Sequence, residues 1–226
     1  MTYIVTSEFA LNQATAPRLP AATSDYDPNY INQLNNVLRL YFNQLDNILN
    51  QLKVATTGVP AIDGSGVRFP YGAFSSDQDQ SATANTATLM TLNTTDFAND
   101  VSIASSKITV AKAGIYNLQF STQFQNTDNQ IQDISIWLRQ NGVDIPGSTG
   151  FVSIPARKSA SPGEEAHEII GWNYYVSMTA GQYIEIYWST TNASVTIQNY
   201  AASTGPTRPS TQSVVATMSF VSALAT

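Results

Sequence analysis

Between residues 27 and 53 the apolar positions fall at Ile31, Leu34, Leu38, Tyr41, Leu45, Ile48 and Leu52. The gaps alternate between three and four, the spacing of a heptad seam on an α-helix. Asp27 followed by Pro28 predicts the N-cap and first turn, and Tyr26 and Ile31 occupy the positions of a hydrophobic staple. Leucine and isoleucine at the two seam positions lean toward three or four strands rather than two. Val37, Leu40, Phe42 and Leu49 widen the stripe. Two arrangements satisfy this pattern: a multi-stranded helical stem, or a single amphipathic helix packed on its own domain.

After residue 68 the period changes from 3.5 to two. Tyr116, Leu118, Phe120, Thr122 and Phe124 alternate with Asn117, Gln119, Ser121 and Gln123, which predicts a strand with one buried and one polar face. Ile134, Ile136 and Leu138 repeat the alternation, and Asn141-Gly142 supplies a hairpin turn. Tyr174, Val176 and Met178 lead to a turn at Ala180-Gly181. Ile184, Ile186 and Trp188 follow, then Val195 and Ile197, then Val214, Ala216, Met218 and Phe220. Shorter candidates lie at 69–74, 88–93 and 107–111. Eight to ten strands at this spacing predict a β-sandwich, and no further helix is expected.

The expected organisation is an extended arm over 1–26, a helical stem over 27–53, a linker over 54–67 and a β domain over 68–226. Pro17 and Pro20 argue for extension in the arm, although Tyr3, Ile4, Val5 and Phe9 suit a short strand. Gly58, Gly64 and Gly66 mark the linker.

Composition narrows the function. Charged residues make up 12% of the 226, about half the usual share, while 81 are Ser, Thr, Asn or Gln. Such a surface is solvated by amides and hydroxyls. Net charge is −6 with ten scattered Lys and Arg, so no basic cluster is present for nucleic acid. The absence of Cys excludes disulfides and thiolate chemistry. No apolar run approaches a membrane span, and the N-terminus lacks the pattern of a signal peptide, so folding in a cytoplasm without export is expected.

Candidate chemistry is sparse. His167 is the one histidine, within a segment that reads as a polar loop beside Glu164, Glu165 and Glu168. One His cannot form a two-histidine metal site. Asp77 and Asp79 mimic part of a calcium loop but lack its Gly and distal Glu. Glu185 and Asp133 are the main strand carboxylates that a glycosidase could use. No catalytic, cofactor-binding or metal residues are therefore expected, and no enzyme. Trp137, Tyr175, Tyr183 and Tyr187 fall opposite the expected core. They read as scattered surface rings, or as a trimer contact or ligand face. The loops at 155–168 and 200–213 would present Arg157, Tyr200 and Arg208 at one end.

The stretches 114–124, 134–148 and 174–188 together resemble the jelly-roll heads of the tumour necrosis factor and complement globular-head superfamily. Gly114-Ile115-Tyr116 matches the family's strand start, Asn141-Gly142 its turn, and Met178 to Ile184 a later strand pair. The β region also resembles trimeric structural proteins of tailed bacteriophages. That resemblance implies a jelly-roll homotrimer in the virion: a capsid decoration or head-fibre protein docked on other virion proteins through residues 1–53. The alternative it implies is a tail-fibre module that binds a host surface glycan or protein.

Overall fold

The computed structural model describes residues 17–21, 25, 27–57, 69–161 and 163–224, with helix side chains described as far as Leu49. The chain divides into two compact units, with the boundary between Phe69 and Pro70. The first unit contains one helix, α1 (Pro28–Thr57). At about 1.5 Å per residue it is about 45 Å long. Asp27 caps it as the sequence predicts: the Asn29 N–H donates to Asp27 Oδ1 (2.9 Å), and the Ile31 N–H reaches the Asp27 carbonyl (3.3 Å). The helix runs four residues into the expected linker. Val54–Thr57 contain neither Gly nor Pro, and Gly58 is the first strong breaker. Residues 58–68, most of the arm and the staple residue Tyr26 lie outside the described residues.

The second unit is all β. In chain order its strands are β1 (Tyr71–Ser76), β2 (Gln80–Ser81), β3 (Thr88–Leu89), β4 (Thr94–Asn99), β5 (Val101–Ala104), β6 (Lys107–Val110), β7 (Gly114–Asn126) and β8 (Gln132–Gln140). Then follow β9 (Val143–Asp144), β10 (Gly150–Ile154), β11 (Ala166–Met178), β12 (Tyr183–Thr190), β13 (Val195–Ile197), β14 (Ser203–Thr204), β15 (Thr207–Arg208) and β16 (Val214–Ser222). Two antiparallel sheets hold most of them. Sheet one runs β4-β1-β16-β7-β11, with β13 and β2 continuing past the end of β16 along β7. Sheet two runs β10-β8-β12-β6-β5, with β3 on β12 and β9 on β8. This is the mainly β, antiparallel sandwich that the period-two pattern predicts.

The core lies between the inner faces. Phe74, Tyr116, Leu118, Phe124 and Met218 come from sheet one; Ile134, Ile136, Ile184 and Trp188 come from sheet two. All nine are at most 1% exposed. The Phe124 and Trp188 rings meet edge to face across the layers at 5.4 Å. Asn141 (φ 50°) and Gly142 (φ 81°) form the β8–β9 turn, both left-handed as a type I′ hairpin requires. The expected strand at 88–93 survives only as Thr88–Leu89. Met90 and Leu92 reach the core from irregular backbone, anchored by Gln80, whose side chain accepts from the Thr91 N–H (2.7 Å) and donates to its carbonyl (3.0 Å).

Candidate functional site

The outer face of sheet two carries three of the four predicted rings. Successive residues of β8 and β12 alternate between the layers, so Trp137, Arg139, Tyr183, Glu185 and Tyr187 point away from the core. Trp137 lies directly opposite Tyr187, and the rings stack at 5.9 Å with a 28° tilt. The Arg139 guanidinium sits 4.0 Å over the Tyr187 ring, and Lys107 sits 4.4 Å over Tyr183. Asp144, brought back by the turn, accepts from Trp137 Nε1 (3.0 Å) and Arg139 Nε (2.7 Å). The Arg139 hydrogen bond holds the Asp144 carboxyl below its ordinary value, with Trp137 contributing less. The same bond raises Arg139. Each ring is thus already covered by a neighbour from its own chain.

Tyr175 does not join this group. It lies on β11 in sheet one, 59% exposed. The alternation puts it outside the core as expected, but on the opposite side of the sandwich from Trp137, Tyr183 and Tyr187. On α1, the seam residues Leu34, Leu38, Tyr41, Leu45 and Ile48 are half-buried and Ile31 is exposed, while the Leu52 side chain is outside the described residues.

Glu185 and Asp133 are too far apart to act as a glycosidase pair. Glu185 faces Arg139 on β8, and Asp133 lies six residues along that strand. At about 3.3 Å per residue the separation is roughly 20 Å, against roughly 5–9.5 Å for glycosidase carboxylates. Asp133 accepts instead from Ser153 Oγ (2.6 Å). Asp77 accepts from Asn93 Nδ2 (2.6 Å), and Asp79 from the Asn199 N–H (2.7 Å). No metal-ligating cluster occurs among the described residues.

His167 stands in β11 rather than in a loop, because β11 begins at Ala166 and pairs with β7 residue by residue. Its Nδ1 lies 3.1 Å from the Tyr200 hydroxyl, and the rings meet edge to face at 5.6 Å. Burial, with Asp79 and Glu165 nearby, raises the Tyr200 pKa. Arg208 belongs to the small β14–β15 hairpin, and the Arg157 N–H donates to the Asp128 carbonyl (2.8 Å). The Tyr200 hydroxyl and the His167 imidazole are thus within hydrogen-bond reach of each other at this end.

The feature that sequence reasoning missed is the outer face of sheet one. On β7 its outward residues are Ile115, Asn117, Gln119, Ser121 and Gln123. Opposite them on β11 are Ser177, Tyr175, Asn173, Gly171 and Ile169. On β16 come Val215, Thr217 and Ser219. None of these residues is Lys, Arg, Asp, Glu or His. A groove of about 480 Å³ crosses the middle, lined by Gln119, Ser121, Gly171, Asn173, Val215 and Thr217. Asn117 Oδ1 is buried in this face without a hydrogen-bond partner among the described residues. The signal was present in the sequence as amides and hydroxyls with no charge among them, but it reads there as ordinary solvent-facing polarity.

No protein-family model matches the chain, and no curated protein matches it.

Proposed function

We propose that this chain is a structural protein that works as a homotrimer, with α1 as the stem and the sandwich as the head, docked on a larger assembly. The observation that carries this reading is the apolar stripe of α1. Ile31, Leu34, Leu38, Tyr41, Leu45 and Ile48 hold one line at heptad spacing, and Ile31, Leu40, Phe42 and Leu49 are 37–60% exposed. A helix with this much open apolar surface gains from a partner. About three heptads are too few to hold chains together unaided, so the head must share the association.

The strand order supports reading the sandwich as a jelly roll of the tumour necrosis factor and complement globular-head kind. β4-β1-β16-β7-β11 faces β5-β6-β12-β8-β10, and the connections β7–β8, β10–β11 and β11–β12 all pass between the sheets. With the arm and stem before it, this favours a capsid decoration or head-fibre role in a bacteriophage virion. The separation of Glu185 and Asp133 speaks against glycoside hydrolysis by that pair. A second reading, a receptor-binding module for a host surface glycan or protein, is favoured by the meeting of His167 and Tyr200 beside the loops at one end of the head.

Replacing both Leu38 and Leu45 with Asp tests the stem. The variant should lose association at low micromolar concentration while retaining the β circular dichroism signal. Unchanged mass would remove the stem from the account. A glycan array and host-cell adsorption assay test the second reading, which requires binding in at least one of them.

A further inference from the structure

We infer that Asn141, at the β8–β9 turn, is a site of spontaneous covalent modification, and that its conversion to isoaspartate frees Asp144 from Trp137 and Arg139.

The step is intramolecular, so the reacting groups are held together by the chain itself. The Gly142 nitrogen attacks Cγ of the Asn141 side chain and closes a succinimide ring. The bond that forms is Cγ–N, and the bond that breaks is Cγ–Nδ2. The Gly142 amide proton departs with the side-chain amide as ammonia. Water then opens the ring. Attack at Cγ gives aspartate. Attack at the main-chain carbonyl of residue 141 gives isoaspartate, in which the backbone runs through the side-chain carbons. Overall a water enters and an ammonia leaves, with nothing oxidised or reduced.

The sequence singles out this residue. Of the 18 Asn in the chain, Asn141 is the one followed by Gly. Every other Asn precedes a residue with a side chain, which crowds the attacking nitrogen.

The fold selects it further. Asn141 and Gly142 are both exposed, so water and base reach the amide. A Cβ at Gly142 would meet nothing nearer than Tyr183 Oη at 3.8 Å, so the space beside the nitrogen is open. The Tyr183 N–H donates to Asn141 Oδ1 (3.0 Å). That bond draws electrons from Cγ and stabilises the oxyanion that attack creates. Asn141 Nδ2, the leaving group, makes no hydrogen bond among the described residues. The Nδ2 groups of Asn93, Asn126, Asn192 and Asn199 are held instead by Asp77, Gln130, Asp128 and Thr211.

The product changes more than charge. Asn141 ties the end of β8 to β12 twice: its N–H donates to the Tyr183 carbonyl (3.1 Å), and its Oδ1 accepts from the Tyr183 N–H. Isoaspartate lengthens the turn by a backbone atom and draws the Cγ carbonyl into the chain, so the second tie is lost. Asp144, just past the turn, then leaves Trp137 Nε1 and Arg139 Nε.

The test uses the full-length protein, warmed at mildly alkaline pH, with peptide mapping of each Asn over time. Asn141 should convert at least about tenfold faster than any other Asn, with isoaspartate among its products. Gly142→Ala should slow the conversion about tenfold or more, because the methyl group crowds the nitrogen. The Trp137 indole N–H resonance, assigned by its absence from Trp137→Phe, should shift as isoaspartate accumulates. Asn141→Asp carries the charge without the added backbone atom and should leave that resonance in place.

An intact Asn141, equal rates at several Asn, or a Gly142→Ala protein that converts as fast as its parent overturns the inference. An unmoved Trp137 resonance in protein that carries isoaspartate overturns the release of Asp144.

Discussion

Arg139 stands directly opposite Glu185 across β8 and β12, yet its guanidinium bonds to Asp144 at 2.7 Å. Glu185 is 5% exposed and makes no hydrogen bond or ion pair among the described residues. Breaking a buried ion pair ordinarily costs about 3–5 kcal/mol. Here the pair is not made. Glu185→Gln should therefore change the unfolding free energy by less than about 0.5 kcal/mol, or stabilise. Urea denaturation checks this, and a loss of several kcal/mol would show that Arg139 serves Glu185 after all.

Asp144 gives the head an acid dependence of definite sign. Its folded pKa lies below the ordinary 3.8, so its contribution is present above that value and fades as pH falls through the lower folded one. Asp77, held down by Asn93 and then Gln78, acts in the same direction. Stability should fall as pH drops below about 4, and Asp144→Asn should flatten part of that slope. Thermal melts of both proteins between about pH 6 and pH 3 measure the difference.

Trp172 explains why residue 150 is glycine. The indole stacks on Phe120 at 6.3 Å and lies across β10 where Gly150 pairs with Ile136, so a Cβ at 150 would run into its ring. Gly150→Ala should destabilise the head by about 1–3 kcal/mol, the range for overpacking. Gly150→Ala combined with Trp172→Leu should recover part of the loss, because the clash is with that ring.

The β8–β9 turn sets the position of Asp144. Gly142 has φ +81°, and a Cβ there meets nothing nearer than Tyr183 Oη at 3.8 Å. Gly142→Ala is thus opposed by backbone conformation alone, at about 1–2 kcal/mol. Denaturation midpoints should show that loss, with the Trp137 environment altered because its Nε1–H partner shifts.

Much of the fold was legible because the local pattern and the tertiary outcome agree. The alternation of 116–124 is β7, Asn141-Gly142 is the expected turn after β8, and Asp27 caps α1. The short strands β4, β5 and β10 were not legible. Thr94–Asn99 has no buried residue to create an alternation, and Val101–Ala104 is only four residues long. Period two also fixes which side of a strand a ring occupies, but not which sheet holds the strand. Tyr175 and Trp137 were grouped for that reason, although long-range pairing with β7 and with β12 separates them. The run of uncharged residues escaped because Asn117, Gln119 and Asn173 become neighbours only when β7, β11 and β16 pair.

The proposed trimer is tested by the mass of the protein in solution. Light scattering of the full-length protein, followed through dilution from high to low micromolar concentration, should give three times the 24.4 kDa of one chain. A mass of 24.4 kDa that persists at the highest concentration would contradict it.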